Sequence, residues 1–243
     1  TFPAKNLLTF FKNHQLINFF IRPQWRTVKG GSIQYVKKVI KSIEQNKQNK
    51  LLLNKKINSI TSKGKKIKIE YDHNHKTFDK IIMATHPDQI LNLIKDLDRE
   101  TIEILSKFKY QKNTVFLHSD PSAMPKNIKT WSSWNYISNK NGKSLTTYWM
   151  NRLQDLKTTL NVFVSLNPFK TPNKSQIYKK IIYEHPIFNN STNKAQNKMN
   201  EIQGKNNIFY TGAWLGYGFH EDGISSAIKV TKYFDIKVPW ELK

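Results

Sequence analysis

The stretch NIFYTGAWLGYGFHEDGISSAIKVTKYFD, Asn207 to Asp235, decides the fold. Ile208, Phe209 and Tyr210 have the apolar, β-branched and aromatic character of a short buried strand. From Gly223 onward, Ile224, Ala227, Ile228, Val230, Tyr233 and Phe234 recur at helical spacing. A strand therefore runs through a glycine-rich loop into a helix. Gly212, Gly216, Gly218 and Gly223 are four of the nine glycines in the chain, so backbone without side chains is concentrated in this loop. Such a loop lets a partner approach its backbone closely. The N-terminus of the following helix offers unpaired N–H groups and partial positive charge to a phosphate or an electron-rich heterocycle. A tight strand-to-helix connection of any α/β protein fits the same glycines. The spacing departs from the dinucleotide fingerprint. Gly216 and Gly218 give G-x-G, Glu221 stands where the third glycine belongs, and G-x-G-x-x-G occurs nowhere in the 243 residues.

Upstream of this stretch the chain alternates helical and strand patterns. Pro3 to Gln15 reads as a helix with Leu7, Leu8, Phe10 and Phe11 on an apolar face, and the aromatic-rich run that follows breaks at Pro23. Gly30 and Gly31 precede a second helix carrying Ile33, Val36, Val39, Ile40 and Ile43, with Ser32 as its expected N-cap. From Leu51 to Thr85 the period changes to two. Leu51 to Leu53, Lys56 to Thr61, Lys65 to Tyr71 and Phe78 to Thr85 read as strands, with Gly64 turning a hairpin. Lys65, Lys66 and Lys68 alternate with Ile67 and Ile69, as on a solvated strand face. His73 and His75 flank Asn74 in a polar turn without an acidic partner, which makes an exposed loop the better reading than a metal site. The continuous run Ile81 to Thr85 predicts a buried strand ending at the small residues Ala84 and Thr85.

Helices are expected at Pro87 to Leu97 and at Asp98 to Phe108, the latter capped by Asp98. Four strands then follow, Thr114 to Asp120, Thr130 to Ser138, Ser144 to Gln154 and Asn161 to Pro168, whose short connections predict an antiparallel sheet. Trp131, Trp134, Tyr136, Tyr148 and Trp149 load it with aromatics that serve a core or a ligand face equally. Asn151 and Arg152 interrupt the third of these strands and are candidates for function. Tyr178 to Phe188 reads as a last strand, and Ser191 to Gln203 as a surface helix ended by Gly204.

Composition narrows the function classes. The chain carries 40 Lys and Arg against 17 Asp and Glu, a net charge of +23. Arg22, Arg26, Arg99 and Arg152 are the only arginines, and the lysines are spread among Asn and Ile. That pattern argues against a dedicated nucleic-acid reader, which uses the planar guanidinium fork. Attraction to anionic lipid at the inner membrane face ranks ahead of nucleic acid. The chain has no cysteine, which excludes disulfides, thiolate metal sites and cysteine nucleophiles and agrees with a cytoplasmic setting. No run reaches the about 18 to 20 apolar residues that span a bilayer. No hydrolytic triad or paired-carboxylate spacing stands out.

GAWLGYGFHEDG, together with PQWRTVKGGSIQYV (Pro23 to Val36), FDKIIMATHPDQ (Phe78 to Gln89), SWNY (Ser133 to Tyr136) and TYWMNRLQ (Thr147 to Gln154), resembles the FAD-dependent amine-oxidoreductase superfamily. Within it the likeness is to the bacterial NAD/FAD-binding oxidoreductases associated with cyclopropane-fatty-acid synthases. The resemblance implies an α/β FAD/NAD(P)-binding fold with an antiparallel-sheet substrate domain, and FAD as cofactor. In such proteins an N-terminal G-x-G-x-x-G segment holds the FAD pyrophosphate. The chain starts at Thr1 without that fingerprint, so the expectation is a fragment whose N-terminal segment is absent. The expected division is 1–25 as a substrate-domain helix and connection, 26–86 as FAD-binding, 87–203 as substrate domain, 204–236 as the C-terminal FAD-binding part and 237–243 as a tail.

By the same resemblance, Gly30, Gly31, Ala84, Thr85, Gly212, Ala213, Trp214, Glu221, Asp222, Gly223 and Ile224 line the cofactor. Trp25, Arg26, Trp134, Tyr148, Trp149 and Tyr217 face the substrate, and His220, Arg152 and Asn151 are the catalytic candidates. Many family members carry an acidic residue after the first glycine of the loop. This chain has Ala213 there, so ribityl contacts are not carried over at that position. The implied activity is hydride removal to FAD from a small molecule, with a lipid acyl chain or an amine as substrate. The alternative is a non-catalytic basic binder of anionic lipid or nucleic acid that keeps the fold.

Overall fold

The structure is a computed structural model and describes residues 3–13, 17, 24, 26–154, 156–238 and 240. The chain divides into two compact units, 1–109 with 186–243, and 110–185. The inserted unit is thus narrower than the expected 87–203. Trp25 lies outside the described residues.

In the first unit, helix α1 (Ala4–Asn13) and helix α2 (Ile33–Gln45) precede a three-stranded antiparallel meander. Its strands are β1 (Ile57–Lys63), β2 (Lys66–Tyr71) and β3 (Asn74–Phe78). Gly64 turns the first hairpin at φ +61°, and Asp72 and His73, both at positive φ, turn the second. Ile60 and Ile67 point into the core at 1% and 0% exposure, while Lys66 and Lys68 pair with Asp79 and Glu70 at the surface. β4 (Ile81–Met83) follows, then α3 (Pro87–Leu93) and α4 (Arg99–Leu105). Asp98 caps α4 as expected, accepting the Thr101 N–H at 2.9 Å.

The second unit is a five-stranded sheet. It comprises β5 (Lys109–His118), β6 (Trp134–Ser138), β7 (Ser144–Trp149), β8 (Phe163–Leu166) and β9 (Ile177–Ile187), in the order β6-β7-β8-β5-β9. The expected antiparallel sheet forms, but its strands do not pair in chain order, because β5 pairs antiparallel with β8 and not with β6. Pro186 is tolerated because β9 is an end strand. β7 stops at Trp149, and Met150–Gln154 form a short helix, α5. Asn151 and Arg152 therefore belong to a helix and do not interrupt a strand.

The chain returns to the first unit through α6 (Asn190–Lys198), β10 (Ile208–Tyr210) and α7 (His220–Thr231). β10 runs parallel to β4, with Ile208, Phe209 and Tyr210 opposite Ile81, Ile82 and Met83. Around this pair lie Ile60, Ile67, Ile90, Leu105, Phe108, Ile202 and Trp214, all buried.

Three local expectations differ from the structure. Leu51, Leu52 and Leu53 are exposed and form no strand, since no other strand pairs with them among the described residues. α2 has the predicted apolar spacing yet buries no residue, and Ser32 makes no side-chain cap bond. α7 opens at His220, three residues ahead of Gly223, because Glu221 and Asp222 suit the positive end of a helix.

Candidate cofactor-binding loop

Because β4 and β10 are parallel, both end on the same side, which is where ligands bind in open α/β sheets. Thr211 N–H donates to Met83 O at 2.9 Å, so Ala84 and Thr85 lie beside Thr211 and Gly212. The Trp214 indole N–H donates to Thr85 O at 3.2 Å, tying the loop to the end of β4. Trp214 is 4% exposed, and its ring meets Phe108 edge-on at 4.7 Å. It serves as an anchor for the loop.

The glycines are required chiefly by the loop's own packing. A Cβ on Gly212 would lie 2.4 Å from Trp214 Nε1, and one on Gly216 would lie 2.2 Å from Asp222 Oδ1. The Asp222 carboxylate accepts the N–H groups of Tyr217 at 3.0 Å and Phe219 at 2.9 Å. Its reach is into the loop. Ser226, buried on α7, meets Thr211 Oγ1 at 2.6 Å, accepts from Gly212 N–H at 2.9 Å and donates to Gly223 O at 2.7 Å.

The carbonyls of Gly212, Ala213, Trp214 and Gly216 accept from protein donors. Gly212 O accepts from Leu215 N–H, and Ala213 O accepts from Gly216 and Gly218 N–H. Trp214 O and Gly216 O both accept from the side-chain amide of Gln196. Gly223 N–H donates to Phe219 O at 3.1 Å, the first bond of α7. The helix therefore presents the N–H groups of His220, Glu221 and Asp222, rather than that of Gly223, without intrahelical acceptors. Ile224, one residue further into α7, is likewise past the donor-rich turn, and its side chain is exposed. His220 and Glu221 are exposed and Tyr217 is half-buried.

The remaining candidates occupy other places. Gly30 and Gly31, at φ +79° and +82°, form the turn ahead of α2, and Arg26 is exposed before them. In the second unit Trp134 and Tyr148 face each other across β6 and β7, their rings 6.0 Å apart and edge-on. Burial pushes the Tyr148 phenol pKa up. Trp149 is next in the strand and so points to the opposite face. There it packs edge-on against Trp131 and donates to Asn161 Oδ1 at 3.1 Å. Asn151 donates to Leu160 O at 2.8 Å and accepts from Val162 N–H at 2.7 Å, and Arg152 donates to Trp131 O at 3.2 Å. All three bonds brace local backbone. The sequence gives no sign of Gln196, Ser226 and Thr211, nor of Gln203, which donates to Tyr210 O at 2.7 Å and accepts from Tyr210 N–H at 2.9 Å. Each is a lone polar residue in a stretch whose pattern assigns it no partner.

The sequence profile described as flavin containing amine oxidoreductase matches residues 5–232. The chain belongs to that family. Its fold resembles that of putrescine oxidase bound to putrescine, at a TM-score of 0.58 and 9% identity, over 86% of this chain and 53% of that one. Cyclohexylamine oxidase from Brevibacterium oxydans IH-35A gives 0.54 and 10% identity over 85% and 53%. A CLA-producing fatty acid isomerase from P. acnes gives 0.52 and 17% identity over 75% and 48%. No curated protein sequence matches. The chain spans about half the length of the solved structures it resembles.

The cofactor the family implies is FAD, and the loop fits it. Four of its carbonyls are held by protein donors, and the N–H groups of the first turn of the 12-residue helix α7 have no intrahelical acceptor, a donor set that suits an electron-rich ring edge. When bound, FAD would supply the hydride acceptor. Among the described residues no helix is long and apolar enough to cross a membrane.

Proposed function

We propose that this chain forms the closing side of an FAD site and the substrate face of an oxidoreductase that removes hydride from a largely apolar substrate. The observation that carries the first half is the paired ends of β4 and β10. They set Ala84 and Thr85 against the loop 212–219, with the α7 N-terminus beyond it. Ala84, Thr85, Gly212, Ala213 and the first turn of α7 are the groups assigned to the cofactor. Asp222 and Trp214 hold the loop's shape.

For the substrate, the four strands β5 to β8 of the second unit's sheet present on one face Val115, Leu117, Trp134, Tyr136, Thr146, Tyr148, Val164 and Leu166. Alternation puts these eight on the same side, and none of the eight is charged. An alkylammonium substrate needs a carboxylate or an aromatic cage to replace its water. An acyl chain needs only apolar area, which this face supplies, so the lipid-like substrate is our first reading; Trp134, Tyr136 and Tyr148 keep an amine held in an aromatic cage as the second.

The test is the visible absorption spectrum after FAD is added, for this chain alone and for the chain joined to a G-x-G-x-x-G dinucleotide-binding segment. Flavin bands retained through gel filtration, in either form, are the expected result. Absence of bound flavin from both overturns the oxidoreductase reading.

A further inference from the structure

Gln196 lies on α6 between residues that fasten that helix to the core. Ala195 and Met199 are 3% exposed, Thr192 is 1% exposed, and Asn189 caps the helix by accepting Thr192 N–H at 3.0 Å. The side chain of Gln196 has no part in that packing pattern. Its Nε2 donates to Trp214 O at 2.9 Å and to Gly216 O at 2.7 Å. One amide group thus spends both its hydrogens on two carbonyls of the glycine loop, two residues apart. The orientation of the amide follows from its partners, because a flipped side chain would set an acceptor oxygen against two carbonyl oxygens.

We propose that Gln196 is a positioning residue for the flavin, setting which backbone groups the loop shows to it. The proposal rests on the FAD reading of this loop. A peptide unit whose carbonyl is held on one side presents the next N–H on the other. Fixing the Trp214 and Gly216 carbonyls toward α6 therefore aims the Leu215 and Tyr217 peptide units. Leu215 N–H donates to Gly212 O at 3.1 Å and Tyr217 N–H to Asp222 at 3.0 Å, so the two bridges together lock the whole turn. Without Gln196, two partly buried carbonyls lose their donors. Rotation of either peptide would then bring a partial negative charge to the side where the donors of α7 meet the ring.

The experiment compares Gln196→Glu and Gln196→Met with the unaltered protein, in the flavin-binding form, by FAD dissociation constant across pH 8 to 5. Apoprotein melting is measured alongside. At pH 8 a carboxylate offers no donor, and Q196E is expected to bind FAD at least about tenfold more weakly, the worth of two lost hydrogen bonds. As the pH falls the protonated acid regains one O–H donor, so the ratio to the unaltered protein shrinks. Q196M stays weak throughout. A purely structural role would move the melting temperature without this pH signature. Equal FAD affinity in both variants, or a Q196E ratio that does not change with pH, overturns the proposal. If Q196E does not fold, equal affinity in Q196M alone overturns it, and a loss of about tenfold sustains it. Failure of the unaltered protein to bind FAD defeats the flavin reading instead, so the two failures are distinct.

Discussion

The two units bury different chemistry. In the first, the core is isoleucine, leucine, methionine and aromatic rings, with Ile67, Ile90, Leu105 and Ile202 at 0% exposure. In the second, Met124, Trp131 and Phe163 form a small apolar cluster beside a buried polar ladder. His118 Nε2 lies 2.9 Å from Ser165 Oγ, which lies 2.8 Å from Thr147 Oγ1, which reaches Ala123 O at 3.2 Å. Asn135 extends it, donating to Ser132 O at 2.6 Å and Thr147 O at 3.3 Å. His118, Ser165 and Thr147 are each 0% exposed. An apolar core depends on filled volume and tolerates exchanges that conserve it. A polar ladder depends on every partner, because a group left over in low dielectric keeps its full desolvation cost.

The largest test of that contrast removes volume from the first core. Leu105→Ala is expected to cost about 3 kcal/mol in urea unfolding, whereas Leu105→Met costs less than about 1.5 kcal/mol. Similar losses from both would show that shape governs this core more than volume. In the second unit Ser165→Ala deletes a single oxygen yet strands His118 Nε2 and leaves Thr147 Oγ1 with the Ala123 carbonyl alone. Its expected cost is about 1–3 kcal/mol, read in the same way. A negligible loss would mean the ladder contributes little and the contrast fails.

A smaller effect separates the units by pH. Burial holds the His118 pKa below its ordinary 6.5, with the nearby Asp120 carboxylate opposing the shift. The native imidazole is therefore neutral where the unfolded one takes up a proton. The stability of the second unit is full above pH 6.5 and falls as pH drops below it, by at most about 1.4 kcal/mol per pH unit until the native pKa is reached. Equilibrium unfolding of the protein between pH 7.5 and 5, beside His118→Leu, checks this. The slope from His118 is expected to vanish in H118L, and a slope that persists assigns the acid sensitivity to other groups.

How much of this was legible in the sequence depends on whether a residue's role is local. The runs Ile81 to Met83 and Ile208 to Tyr210 announce buried strands because continuous apolar character is itself the signal. Asp98 announces its cap because the group it binds lies three residues on. Leu51 to Leu53 carry the same apolar character, but a strand also needs a neighbour, and the neighbour is not written in the segment. Tyr148 and Trp149 show the opposite lapse. Grouping both with the substrate ignored the two-residue period that sends them to opposite faces. In the loop, the sequence marked the glycines but not their reason, since Asp222 and Trp214 occupy the space beside Gly216 and Gly212. Gln196 and Ser226 were beyond reach, because a lone amide or hydroxyl in a helix gives no sign of the backbone it will meet.

The smallest expected effect belongs to α2, which sharpens the contrast from its far side. Its apolar spacing matches that of a core helix, yet Ile33, Val36, Val39 and Ile43 are 37–54% exposed and nothing in the helix is buried. Burial and not pattern confers stability, so Val39→Lys in this chain is expected to change unfolding free energy by less than about 0.5 kcal/mol. The same exchange at a buried valine such as Val230, 2% exposed, strands a charge in the core and unfolds the unit. Chemical denaturation of the two variants side by side, with the oligomeric state followed by light scattering, reads both. A large loss in V39K would mean that this face is covered in solution. If light scattering shows that the loss accompanies dissociation into single chains, the cover is a second copy, and α2 joins the buried half of the comparison.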